Sequence, residues 1–174
     1  MVTLTIDRKE IEAPGGTTIL DAARLANIEI PHLCYLKDLN EIGACRVCVV
    51  EMEGASKLIT ACNTIVQDGM VISTNSPKVR VTRRTNVELI LSQHDCECTW
   101  CVRSGNCSLQ KIANGLNINT LPYEKQVTYS PWNQYFPLIR ESNKCIKCMR
   151  CIQVCDKIQN LQVWDCLLYT SRCV

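Results

Sequence analysis

One run of residues constrains this chain more than any other: Cys145-x2-Cys148-x2-Cys151-x3-Cys155. Three thiols so close in sequence can curl around one iron–sulfur cube and reach three of its irons, whereas a zinc ion has little use for a third thiolate at that spacing. In two-cluster ferredoxins the fourth cysteine turns away to the other cluster, so Cys155 calls for a second C-x2-C-x2-C run downstream. Only Cys166 and Cys173 follow, at the wrong spacing.

The run belongs to a wider pattern. Cysteine accounts for 14 of 174 residues, while aromatic residues total 5% with a single Phe, so small modules held together by cysteine chemistry are expected in place of a large aromatic core. Disulfides are the first explanation to test. The start, Met1-Val2-Thr3-Leu4-Thr5-Ile6-Asp7-Arg8-Lys9-Glu10, has early charges and no long apolar run, unlike a secretory leader, and no stretch approaches a membrane span. A reducing, cytoplasmic setting is expected, and there clustered thiols bind metal.

Two further groups precede the last one. The first is Cys34-x10-Cys45-x2-Cys48-x13-Cys62. Four thiolates suit two sulfide-bridged irons, and the tight Gly43-Ala44-Cys45-Arg46-Val47-Cys48 segment lets backbone N–H groups approach the sulfurs. A four-thiolate zinc site stays open on spacing alone, although the usual zinc pattern has two C-x2-C pairs and this group has one. The second is His94-x3-Cys98-x2-Cys101-x5-Cys107, for which zinc and a cluster are equally open by spacing. Cys96 reads as a spare thiol and His32 as a polar surface residue.

The predicted elements place these groups. Val2, Leu4 and Ile6 alternate, Asp7-Arg8-Lys9 turns, and Ile11 returns, which predicts a hairpin. Pro14-Gly15-Gly16 breaks it, and Thr17-Thr18 opens a helix carrying Ile19, Leu20, Ala23 and Ala26. Val47 to Met52 and Met70 to Ser73 read as strands. Ser76-Pro77 marks a boundary, with Ser as N-cap and Pro at the first helical position. Helices are expected from about Pro77 to Ser92, with Val87, Ile90 and Leu91 on one face, and from about Cys107 to Leu116. The proline-bearing stretch from Asn119 to Pro137 reads as an extended connector, and the last module starts near Leu138.

The net charge of +2 gives no reason to expect a nucleic acid or an acidic membrane as partner. Lys78, Arg80, Arg83 and Arg84 crowd one segment, and Lys144, Lys147 and Arg150 interleave with cysteines. They read as solvated surface or as cations offsetting the charge of thiolate-bound clusters. No G-x-G-x-x-G after a strand, no phosphate-binding G-x-x-x-x-G-K-[ST], and no Ser/His/Asp or paired-carboxylate arrangement can be argued. Nucleotide-binding and hydrolytic functions have no support in these residues.

The segments IPHLCYLKDLNEIGACRVCVVE, TACNTIVQDGMVI, NSPKVRVTRRTNVELILSQHDCECTWCVRSGNCSLQ and IRESNKCIKCMRCIQVCDKIQ resemble the N-terminal region of iron-only ([FeFe]) hydrogenases. The resemblance is to the large catalytic subunit of the NAD(P)-linked, electron-bifurcating type, and it runs from residue 1 to about 165. Related modules occur in the cluster-rich subunit of NADH–quinone oxidoreductase and in some formate dehydrogenases. The resemblance implies an α+β chain of three modules. Residues 1–77 would form a β-grasp, plant-ferredoxin-like domain with a [2Fe–2S] cluster on Cys34, Cys45, Cys48 and Cys62. Residues 78–118 would form a small helical domain with a [4Fe–4S] cluster on His94, Cys98, Cys101 and Cys107. Residues 119–174 would hold the connector and a truncated bacterial-ferredoxin-like βαβ domain. There Cys145, Cys148 and Cys151 would hold one [4Fe–4S] cluster, with Cys155 a ligand of a second.

The order of the three patterns favours clusters over zinc at every site. It implies an iron–sulfur electron-transfer segment of a multi-cluster oxidoreductase. The expected partners are redox subunits, among them one binding flavin and NAD(P), and a ferredoxin, in a hetero-oligomer. A stand-alone carrier and a zinc-stabilised interaction module are the competing readings. Past Trp164-Asp165 the tail Cys166 to Val174 departs from the pattern and reads as a truncated or misassembled end. No catalytic site is expected in the chain as given.

Overall fold

The computed structural model describes residues 1–127, 129 and 141–161, and the backbone of 166–167 and 172–173. The end of the proposed connector up to Pro137, the proposed module start at Leu138, and Trp164-Asp165 lie outside the described residues. The chain divides into two compact units, one of residues 1–74 with 148–174, the other of residues 75–147.

The first unit is α+β. Strands β1 (Val2–Ile6) and β2 (Lys9–Ala13) form the expected hairpin in the register Leu4↔Ile11 and Ile6↔Lys9. Asp7 and Arg8 make its two-residue turn, both with positive φ (47° and 68°), the backbone that matches the twist of the flanking strands. The Asp7 carboxylate accepts from Thr74 N at 2.8 Å, tying the turn to the end of the unit. Alternation puts Leu4, Ile6, Ile11 and Ala13 in the core.

Strand β3 (Val49–Met52) begins two residues later than its β-branched pattern predicts. Val47 and Cys48 belong to a turn, the backbone there serving the cysteine loop. Strand β4 (Ile59–Thr60), too short to announce itself in the sequence, pairs antiparallel with β3. Strand β5 (Val71–Ser73) lies antiparallel to β3 and parallel to β1, giving one mixed sheet in the order β2-β1-β5-β3-β4. Helix α1 (Ile19–Leu25) starts at the N-cap Thr18, whose side chain accepts from Asp21 N at 3.2 Å. It buries Ile19, Leu20, Ala22 and Ala23 in the same core as Ile72 and Val50. Its first N–H groups, which no helical partner can satisfy, bond to Thr64 O and Ala61 O, each at 2.9 Å. Helix α1 thereby holds the segment that carries Cys62. Helix α4 (Arg150–Lys157) completes this unit, and Cys166–Leu167 pairs antiparallel with Arg172–Cys173.

The second unit is helical. Helix α2 (Pro77–Ser92) is capped by Ser76, which accepts from Val79 N at 3.3 Å, with Pro at the first turn as the sequence predicts. Its buried line runs through Val79, Arg83, Val87, Glu88 and Ser92. Ile90 and Leu91 are only half-buried, so the apolar face expected through them is displaced. Polar pairing explains part of this: Arg84 Nε meets Glu88 Oε1 at 2.7 Å, and Arg84 Nη1 donates to Leu116 O at 3.1 Å. Leu116 closes helix α3 (Ser108–Gly115), so Arg84 joins the two helices and satisfies a terminal carbonyl. No helix among the described residues is long and apolar enough to cross a membrane.

Leu20 is 1% exposed at the centre of the first unit's aliphatic core. Leu20→Ala is expected to cost about 2–5 kcal/mol, as large-to-small core changes do. The measurement is urea unfolding of anaerobically prepared protein followed by circular dichroism, in which the midpoint should fall.

Candidate iron–sulfur sites

In the first unit the structure brings Cys34, Cys45, Cys48 and Cys62 together. Cys34, Cys48 and Cys62 are fully buried and Cys45 is half-buried, and all four are free thiols. The sulfurs touch in sequence: Cys45 with Cys34, Cys34 with Cys62, and Cys62 with Cys48. Backbone N–H groups point at them. Cys34 N donates to Cys45 Sγ at 3.5 Å, Val47 also donates to Cys45, and the N–H groups of Ala44 and Cys45 serve Cys34. Gly43 makes the tight loop feasible. Its φ is +65°, and a Cβ there would lie 3.1 Å from Asn63 Nδ2 and 3.3 Å from Thr60 Oγ1.

The titration pattern of these thiols shows what the site wants. Hydrogen bonds from the Cys45 and Cys62 thiols push Cys34 down, and the Cys62 thiol does the same for Cys48. Cys45 and Cys62 are pushed up in turn, first by those same contacts and then by burial. Four thiols in contact, three of them fully buried, cannot all ionise without a compensating positive charge. Two ferric ions bridged by sulfide supply it, so this donor set fits a two-iron cluster.

The second unit holds His94, Cys98, Cys101 and Cys107. His94 follows the end of α2, its N–H bonded to Leu91 O at 3.2 Å, as the sequence predicts for a ligand arriving from a helix end. Burial is the main cause lowering its pKa, opposed by Asp95 and assisted by Lys125 and Lys144, so the imidazole is held neutral. Its Nδ1 is buried with no hydrogen-bond partner among the described residues. A neutral ring with an orphaned nitrogen fits a site that takes an imidazole ligand. Cys98 opens and Cys101 follows a 3-10 turn over Cys98–Trp100, and Cys107 is the N-cap residue of α3. Asp95 fixes the loop twice, donating its N–H to Asn143 O at 2.8 Å and accepting from Asn143 Nδ2 at 2.9 Å. Cys96 donates to His94 O at 3.3 Å, and burial raises its pKa, in keeping with a thiol outside the ligand set. No three His, Cys, Asp or Glu among the described residues are arranged to hold a single metal ion.

The third run is divided between the units. Cys145 ends the second unit's 3-10 turn over Ser142–Lys144 and accepts from Lys147 N at 3.4 Å. Cys148, Cys151 and Cys155 fall in the first unit. Met149 takes a left-handed conformation at the start of α4 (φ 65°). Cys151 is exposed, while Cys155 is 3% exposed with its thiol directed at Leu161 O, 2.7 Å away. Arg24 donates to His32 Nε2, so the ring's Nδ1–H donates to Ile30 O, both at 3.1 Å. Of the cations between the cysteines, Lys144 pairs with Glu141 at 2.8 Å and Lys147 bonds Gln93. Arg150 reaches Cys34 O at 3.1 Å and Tyr35 O at 2.8 Å, and buried Asn40 shares the Cys34 carbonyl, a role no local pattern reveals.

Comparison with known proteins decides between metal chemistries. Residues 1–77 match the model of a 2Fe-2S iron–sulfur cluster binding domain, and residues 83–122 match the NADH-ubiquinone oxidoreductase-G iron–sulfur binding region. Residues 1–77 and 83–122 are thus iron–sulfur binding segments of the two kinds these models describe. The chain carries both [2Fe–2S] and [4Fe–4S] binding domains and is an electron-transfer protein.

Among its relatives is the NADP-reducing hydrogenase subunit HndD of Solidesulfovibrio fructosivorans, 43% identical over 94% of this chain and 29% of the relative. An NADH-quinone oxidoreductase component of Rhizobium meliloti is 37% identical over 91% of this chain and 19% of the relative. The chain therefore spans less than a third of either relative. A chain in the crystal structure of NAD+-reducing [NiFe]-hydrogenase in the H2-reduced state superposes with a TM-score of 0.84 at 28% identity, covering 94% of this chain and 69% of that one.

Replacing a neutral imidazole by an anionic thiolate makes a cluster more negative and harder to reduce. His94→Cys is accordingly expected to lower the midpoint of the second unit's cluster in an anaerobic redox titration followed by electron paramagnetic resonance. An unchanged or raised midpoint would count against His94 as a ligand.

Proposed function

We propose that this chain is the iron–sulfur electron-transfer segment of the large subunit of an NAD(P)-linked [FeFe] hydrogenase. The observation that carries the reading is the convergence of four cysteines, their thiols in contact in a row, in a β-grasp-like sheet unit, followed by a helical unit with a buried imidazole nitrogen that has no hydrogen-bond partner among the described residues. The likeness to an NADP-reducing hydrogenase component over 94% of the chain supports this reading. Cys34, Cys45, Cys48 and Cys62, linked in a row by their thiol contacts, would hold a [2Fe–2S] cluster. His94, Cys98, Cys101 and Cys107 would hold a [4Fe–4S] cluster. Cys145, Cys148 and Cys151 would hold another, with Cys155 a ligand of a further one.

When bound, these groups supply one-electron redox capacity. The chain's own residues do the rest. Backbone N–H groups around Cys34 and Cys45 stabilise negative charge on sulfur, burial excludes water, and Cys107 places its sulfur at a helix N-terminus. Flavin and NAD(P) would reside on a partner subunit in a hetero-oligomer, with a ferredoxin as further electron partner. A second reading, the cluster-rich component of an NADH–quinone oxidoreductase, is favoured by the match of residues 83–122 and by the Rhizobium relative.

Anaerobic loading with iron and sulfide is expected to give a brown protein with acid-labile sulfide and, on reduction, signals from more than one cluster. Cys62→Ser should remove or sharply alter the [2Fe–2S] signal and leave that of the His94 site. A colourless zinc protein would overturn the assignment. For the terminal reaction, the complex isolated anaerobically from its host should reduce NAD(P)+ with hydrogen; quinone reduction by NADH without hydrogen uptake would establish the second reading.

A further inference from the structure

The ligand loop of the first site is tied to the third cysteine run by side chains that belong to neither motif. Asn40 is fully buried, and its Nδ2 donates one hydrogen to Cys34 O and the other to Cys148 O, each at 2.8 Å. Its Oδ1 has no hydrogen-bond partner among the described residues, so the amide is oriented entirely by the two cysteine carbonyls. Arg150, the first residue of α4, donates Nε to the same Cys34 carbonyl at 3.1 Å and Nη2 to Tyr35 O at 2.8 Å. Lys157, at the other end of α4, donates to Leu39 O at 2.7 Å. The loop 34–40 thus receives cationic donors from both ends of one helix, and the peptide group of Cys34 receives two donors at one oxygen.

This is more than a packing contact. Donors on the Cys34 carbonyl polarise its peptide group, and the guanidinium carries a full positive charge that its partners, both neutral carbonyls, do not cancel. A reduced cluster holds one more negative charge than an oxidised one, so a fixed cation beside a ligand's backbone favours the reduced form. We propose that Asn40 and Arg150 are positioning residues that clamp the Cys34 ligand loop to the Cys148 backbone and raise the reduction potential of the [2Fe–2S] cluster. The proposal rests on the reading of Cys34 as a ligand. Reduction adds one electron to the cluster and requires no proton from either side chain.

The test is a redox titration of the full, anaerobically loaded chain, with dithionite as the one-electron donor and electron paramagnetic resonance as readout. Arg150→Gln removes the charge and should lower the [2Fe–2S] midpoint, more than it moves the midpoint of the His94 cluster. Arg150→Lys keeps a charge but cannot fork between two carbonyls, and should lower it less. Asn40→Leu keeps Arg150, removes both amide donors, and should shift the midpoint downward by a smaller step and speed hydrogen exchange in residues 34–40. An unchanged or raised [2Fe–2S] midpoint in Arg150→Gln overturns the proposal, as does an equal shift at both clusters. Should Arg150→Gln fail to load, a wild-type midpoint in Asn40→Leu overturns it instead. If the wild-type chain shows no [2Fe–2S] signal at all, the ligand assignment has failed and not the clamp.

Discussion

Everything in the first unit answers to the need to keep four sulfurs together away from water. Thiolates crowded in a low-dielectric interior repel one another, and the unpaired charges would be costly to bury. The fold meets that cost locally, by aiming backbone N–H groups of the Gly43–Cys48 loop at sulfur. The loop must therefore be short, must turn through a left-handed glycine, and must be braced from behind. Helix α1 braces the Cys62 side through Ala61 and Thr64, and Asn40 and Arg150 brace the Cys34 side. The apolar core under this apparatus is aliphatic and small, built from Leu4, Ile6, Ile19, Leu20, Val50 and Ile72. A core of that size stabilises a short domain only modestly, so metal loading and folding are expected to be thermodynamically linked.

The second unit handles the same problem with different means. Among its described residues no sheet frames a loop, and helix ends do the positioning. His94 leaves the carboxy-terminal end of α2 and Cys107 opens α3, while Arg84 links the two helices at Leu116. With His94 as a ligand, imidazole in place of one thiolate would remove a negative charge at the source, and Lys125 and Lys144 lie close enough to His94 to influence its ionisation. On the proposed reading one unit offsets charge with peptide dipoles, and the other lowers the charge to be offset.

Much of this was legible in the sequence because the chemistry is encoded locally. The spacings Cys34-x10-Cys45-x2-Cys48 and His94-x3-Cys98-x2-Cys101 single out candidate donors before any fold is known, and Ser76-Pro77 announces α2 through capping alone. Hairpin alternation likewise placed Leu4 and Ile6 in the core. What escaped was either too short or too distant. Strand β4 has two residues and no period to detect. The buried face of α2 includes Arg83 and Glu88, which hydrophobic periodicity assigns to solvent. Arg150 could be noticed as a cation among cysteines, but its partners lie 115 and 116 residues away, and no local pattern carries that distance. Asn40 gave no signal, since a buried amide is recognisable only by the carbonyls it meets.

The same segment aligns with proteins named for hydrogen-linked NADP reduction and for quinone reduction, and it occupies 29% and 19% of their lengths. A module shared by proteins with such different names is shaped by a common requirement, which here is to hold clusters at fixed places and fixed potentials. That requirement reaches beyond the cysteines, to residues such as Asn40 and Arg150, which under the proposed clamp adjust the surroundings of a ligand without binding the metal. Such residues set how readily an electron enters one site relative to the next, and that ordering is the contribution a relay segment can make to whichever reaction it serves.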